Sequence, residues 1–106
     1  MKNVKIDFKS LGGPVYSGRP RGVALRERLA LDNLDEDQST VVSVCVPDST
    51  YSMTSSFFLG LFGPSVARAG SREAFFGKYH FQAKPVLQKA FDGYVDIALQ
   101  TTRLFN

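Results

Sequence analysis

Tyr51-Ser52-Met53-Thr54-Ser55-Ser56-Phe57-Phe58-Leu59-Gly60-Leu61-Phe62-Gly63 decides the fold. Hydroxyl residues crowd its first half and large apolar residues its second. Thr40 to Val46, just upstream, has the composition of a β-strand. The whole reads as strand, polar turn, then a helix that opens on serines. Thr54 or Ser55 suits the N-cap, because a short hydroxyl accepts a bond from a free N–H of the first turn. On a helical wheel Phe57, Phe58, Leu61, Phe62 and Val66 share one broad arc, with Leu59 at its edge. Ser56, Gly60 and Gly63 fall opposite. One face therefore fills a core, and the other is stripped to backbone and one hydroxyl. Each glycine inside a helix costs about 1 kcal/mol. Two of them imply either that a backbone or ligand comes close, or that Gly60 relieves the ring of Pro64 and Gly63 ends a first segment.

Outward from this stretch the pattern alternates. Val4, Ile6 and Phe8 face one way and Lys5 and Asp7 the other, as in a half-buried strand. Leu11-Gly12-Gly13-Pro14 breaks it, and Val15-Tyr16 can form a short second strand. A helix is predicted from Pro20 to about Leu31. Asn33 to Ser39 is acidic and reads as a loop without the oxygen spacing of a calcium site. Val41, Val42, Val44, Cys45 and Val46 form a nearly continuous apolar run, the mark of a strand covered on both faces. Gly70 is the expected end of the central helix. Ala74 to Gln82 reads as a strand, with Phe75, Gly77, Tyr79 and Phe81 on one face. From Lys84-Pro85 onward the clearest amphipathic helix runs, with Val86, Leu87, Phe91, Tyr94, Val95, Ile97 and Ala98 on its apolar half; Gly93 is a candidate break. The order β–α–β–α–β–α predicts an α/β fold, a sheet with helices packed on it.

Length and composition bound the rest. The 106 residues suit a single domain, 1–106. A 43% hydrophobic and 22% charged composition is that of a globular chain, and a net charge of +3 is too mild to indicate nucleic acid. No apolar stretch is long enough to cross a membrane. Met1-Lys2-Asn3 lacks the apolar run of a signal peptide, so the cytoplasm is the expected compartment. One cysteine, Cys45, excludes an internal disulfide and a cysteine-based zinc site.

Catalytic signals are absent from the local sequence. The one histidine, His80, stands on an expected strand and cannot pair with a second to hold a metal. Phosphate loops, dinucleotide loops and nucleophile elbows are missing. No cofactor or metal is expected, and the chain is read as non-catalytic. Arg19 and Arg21 stand at a helix start, where free N–H groups favour anions; they form either an anion site or a solvated basic cluster.

From Val41 to Gly63 the pattern resembles a STAS domain, the fold of anti-anti-sigma factors. It does so through the buried strand, the short loop and the helix that opens on Thr54-Ser55-Ser56-Phe57. The chain is more closely similar to the bacterial STAS-like family of unknown function, through Ser56-Phe57, the arginine-containing helix and the C-terminal helix. The resemblance implies a mixed sheet of three to five strands with three or four helices. It also implies a regulatory protein–protein interaction module. Ser55 would match the serine that a partner kinase phosphorylates in anti-anti-sigma factors, with Ser56 its neighbour. Thr54 stands in place of the family's aspartate, and Phe57 in place of its glycine. The implied partner is a histidine-kinase-like ATPase or an anti-sigma-type kinase. Thr54, Ser55, Ser56, Gly60 and Gly63 are the candidate partner-binding positions. The alternatives are a small-ligand sensor, for a nucleotide or other anion, at Arg19 and Arg21, and an enzyme assembled around His80.

Overall fold

The computed structural model describes residues 2–11 and 15–104. Most of the glycine–proline turn expected at Leu11 to Pro14 lies outside them. Three strands, β1 (Lys2–Asp7), β3 (Thr40–Cys45) and β5 (Tyr79–Gln82), form one sheet in the order β1-β3-β5. Two short strands, β2 (Val15–Tyr16) and β4 (Ser52–Met53), pair separately. All these ladders are parallel, so the antiparallel member of a mixed sheet is not found among the described residues. The helices are α1 (Arg19–Leu29), α2 (Leu31–Glu36), α3 (Ser55–Ala69), α4 (Arg72–Lys78) and α5 (Pro85–Leu104). The α/β class stands.

The sheet steps in one direction, β1 to β3 to β5. Right-handed crossovers then lay the helices on the same face. Ladder register shows the consequence. The covered face carries Val4, Val42 and Tyr79 in one row and Ile6, Val44 and Phe81 in the next. The opposite face carries Lys5, Ser43 and His80, then Asp7, Cys45 and Gln82. Val41, Ser43 and Cys45 are only half-buried. The expectation that β3 is covered on both faces is therefore corrected: its burial alternates.

α3 is the wedge between two aromatic clusters. Phe57 meets Phe8 and Tyr16, with ring centroids 6.5 and 5.4 Å away. Phe58 meets Phe62, Phe91 and Tyr94 at 5.1 to 5.4 Å. All five residues on the arc read from sequence are fully buried. Thr54 caps the helix, its hydroxyl accepting from the Phe57 N–H at 3.3 Å, and Gly70 closes it with φ of +84°. α3 runs unbroken through Gly63 and Pro64. A glycine before proline spares the helix the clash between a Cβ and the proline ring.

Two expected elements differ. Of the strand expected over Ala74 to Gln82, Tyr79–Gln82 is strand, but its first half belongs to the helix Arg72–Lys78. Ser71 caps it by accepting from the Ala74 N–H at 3.1 Å, and Phe75 stacks on Tyr79, four residues on. The expected loop Asn33–Ser39 is partly helix. Ala30 takes a left-handed conformation, φ of 55°, turns the chain, and α2 follows. α5 does not break at Gly93. On its apolar half Leu87, Phe91, Val95 and Ala98 are buried, whereas Val86 and Ile97 stay exposed.

Candidate functional site

The start of α3 is zipped to the start of α1. The β2–β4 ladder pairs Val15 with Ser52 and Tyr16 with Met53. The Thr54 N–H then donates to the Tyr16 carbonyl at 2.9 Å, and the Tyr94 hydroxyl donates to the Met53 carbonyl at 2.9 Å. These bonds fix where the hydroxyl residues stand. Ser56 is exposed, while Ser55 and Thr54 are half-buried. Tyr51, just before β4, is 77% exposed.

Gly60 is not part of this open surface, which corrects the candidate set. α1 lies directly on it. A Cβ on Gly60 would stand 2.5 Å from the Arg19 carbonyl oxygen, and one on Gly22 would stand 2.2 Å from the Phe57 carbonyl oxygen. The close approach expected at Gly60 is thus made by the chain's own backbone. Gly63 is half-buried and meets no such neighbour, since a Cβ there would come no nearer than 3.9 Å to Leu59.

Arg19 is exposed. Arg21 is occupied: its guanidinium lies over the Tyr16 ring at 5.3 Å and donates to the Val15 carbonyl at 3.3 Å. The two arginines therefore do not form an open pair. His80 is exposed, sits beside Ser43 on the open sheet face, and its Nε2 lies 3.0 Å from the Gly77 carbonyl oxygen. No hydrogen bond joins it to a serine or a carboxylate among the described residues. Nor do those residues contain a group of three metal-ligating side chains, and no described helix is long and apolar enough to cross a membrane.

A second polar constellation lies at the other end of α3. Arg26 Nη1 donates to the Leu61 carbonyl at 2.9 Å and to Ser65 Oγ at 2.8 Å. Arg26 Nη2 reaches Asp32 at 2.7 Å and Asp35 at 2.8 Å. Ser65 donates to one Asp35 carboxylate oxygen at 2.6 Å, and the Tyr79 hydroxyl donates to the other. The Asp35 side chain is 4% exposed and that of Arg26 8%, whereas that of Asp32 is 80% exposed. Burial opposes the Arg26 charge, but its bonds to Asp35 and Asp32 outweigh burial and raise its pKa. Burial first, and the Asp35 carboxylate second, push the Tyr79 phenol well above 10.0, its ordinary value. Sequence reading placed Asp35 in a loop and missed that four elements bring these groups together. The one local signal was Gly22 and Arg26, one turn apart on a single face of α1.

Tyr79 therefore sets an alkaline limit. Below pH 10 the folded and unfolded chains both keep the phenolic proton. Above it the unfolded chain releases the proton first, so stability falls as pH rises toward the folded value. Burial also raises the pKa of Tyr16, so ultraviolet titration should show two tyrosines ionising late, Tyr79 the later of them, and Tyr79→Phe should remove the later contribution. The substitution should also cost about 1–3 kcal/mol at neutral pH, because Asp35 loses a buried donor.

No protein-family model, no curated protein and no solved structure matches this chain.

Proposed function

We propose that this chain is a non-catalytic regulatory module of the STAS-like kind, which docks a protein partner through the start of α3. One observation carries the reading. Tyr51 and Ser56 are exposed at a point where the backbone is pinned by the β2–β4 ladder and the Thr54 cap. A rigid exposed tyrosine loses little side-chain freedom on contact, which suits it to anchor an interface. The resemblance supplies the kind of partner, a histidine-kinase-like ATPase or an anti-sigma-type kinase.

Phosphorylation is the proposed control. The resemblance aligns Ser55 with the acceptor, but exposure favours Ser56. A phosphate there would stand in the first turn of α3, where the helix end tolerates negative charge. It would add about −1.5 to −2 charges to the docking surface, enough to oppose a packed contact. The anion-sensor alternative loses support because Arg21 is held on Tyr16.

The test is a titration against a purified histidine-kinase-like ATPase, the kind of partner the resemblance implies. Tyr51→Ala and Ser56→Asp should each weaken binding at least about tenfold, near 1.4 kcal/mol. Ile97→Ser, at an exposed position on α5, should leave it unchanged. Wild-type affinity in both of the first two variants would overturn the proposal.

A further inference from the structure

A cleft of about 520 Å³ opens at the end of α3 opposite the serines. It lies at the first residues of β3 and β5, beside the last turn of α3 and along α4. Along α3, Ser56 and Arg68 stand 12 residues apart, roughly 18 Å. The cleft's size falls in the range of about 300–1,000 Å³ common to small-molecule sites.

The walls are low because Ala69, Ala74 and Gly77 carry little or no side chain. A Cβ on Gly77 would meet nothing within 4 Å. Ser65 and Tyr79 make the polar floor, and Phe75 lies beside them. The charges are unequal. Asp35 is the one carboxylate in the lining, and Arg26 neutralises it at 2.8 Å. Arg68 is exposed at the rim. Lys78 Nζ donates to the carbonyls of Asp37 and Thr40 at 2.7 and 3.2 Å, and an ammonium has a third hydrogen to give. A guanidinium and an ammonium thus face a space whose one carboxylate is already paired.

We propose that this cleft binds a small organic anion, a phosphate monoester or a carboxylate, whose charged group lies between Arg68 and Lys78 and whose apolar body rests on Ala69, Ala74 and Gly77. The site is independent of partner docking. Arg68 supplies the forked donor geometry that both anions accept.

The test is a nuclear magnetic resonance titration of the ¹⁵N-labelled full chain at constant ionic strength. The probes are phenyl phosphate, benzoate, inorganic phosphate and benzyl alcohol. Saturable shifts at the amides of Thr40, Ala69, Gly77 and Lys78 are expected with phenyl phosphate or benzoate, and which of the two binds more tightly identifies the anion. Benzyl alcohol should produce none, and inorganic phosphate should bind at least tenfold more weakly. Arg68→Gln, at an exposed position, should weaken binding at least tenfold. Gly77→Leu should fill the cleft and abolish binding without lowering the melting temperature. Arg19→Gln should change nothing. Non-saturating shifts, an equal response to benzyl alcohol or inorganic phosphate, or undiminished binding by Arg68→Gln or Gly77→Leu would overturn the proposal, as would shifts confined to the start of α1.

Discussion

Gly22→Val should lower the melting temperature by roughly 12 °C, and Gly60→Val by a similar amount. The added Cβ of the first would stand 2.2 Å from the Phe57 carbonyl oxygen and 3.0 Å from the Leu61 nitrogen. That of the second would stand 2.5 Å from the Arg19 carbonyl oxygen and 3.1 Å from the Val23 nitrogen. These neighbours are backbone atoms, so no rotamer change relieves them. One helix must move off the other, and the aromatic clusters behind α3 open. Overpacking of this kind costs about 3 kcal/mol at the upper end of its usual range. In a domain of this size each kcal/mol is worth about 4 °C. Better helix propensity returns under 1 kcal/mol and does not reverse the sign. Gly93→Ala is the control. Nothing lies within 4 Å of a Cβ there, so the same chemistry in α5 should stabilise by about 1 kcal/mol. Thermal melts of the three variants decide the matter. A Gly60→Val chain as stable as wild type would mean that α1 does not rest on α3 as described.

The same pair shows where sequence reading ends. The wheel of α3 could say that its small face either admits something close or relieves the ring of Pro64; the first holds at Gly60, and Gly63 meets no close neighbour. It could not say that the visitor is α1, since nothing local links Gly60 to Gly22. The core face was legible for the opposite reason: Phe57, Phe58, Leu61, Phe62 and Val66 bury themselves whatever lies beyond them. Caps were legible at Thr54 and Gly70, where one side chain or one φ angle suffices.

The misread elements were those in which two periods compete. Phe75, Gly77, Tyr79 and Phe81 alternate as a strand would. Phe75 and Tyr79, four apart, also fit a helical turn, and the Ser71 cap settles the contest. Val41 to Val46 is apolar enough for a strand buried on both faces, yet its outer face is only half-covered. Crossover topology, not the strand's own residues, leaves that side without a helix. α2 escaped notice because its acidic residues are polar in composition and become partners only through Arg26. The cap and core face of α3 were therefore visible in the sequence, whereas the helix that covers Gly60 and the polar network at the far end were not.

Arg26→Met should destabilise the chain by about 3–5 kcal/mol, the largest effect expected of a single polar residue here. The reason is the company it leaves behind. Asp35 is 4% exposed at its side chain and would lose the one cation among the described residues that bonds to it. The Leu61 carbonyl and the Ser65 hydroxyl would each lose a donor as well. Asp32, 80% exposed, is hydrated either way and contributes little to the difference. Asp35→Leu alone should also be costly, because it leaves the buried guanidinium with only the exposed Asp32 as its carboxylate partner. The double variant Arg26→Met, Asp35→Leu should recover much of the loss, since neither charge then needs a partner and the replacements are apolar. Denaturant melts of the four chains should give a coupling energy of about 2–3 kcal/mol. Simple additivity would show that the two charges do not depend on each other. A double variant more stable than wild type would mean that the ion pair is kept at a net cost to stability. It would not separate the two charges, whose mutual dependence is what the cycle measures.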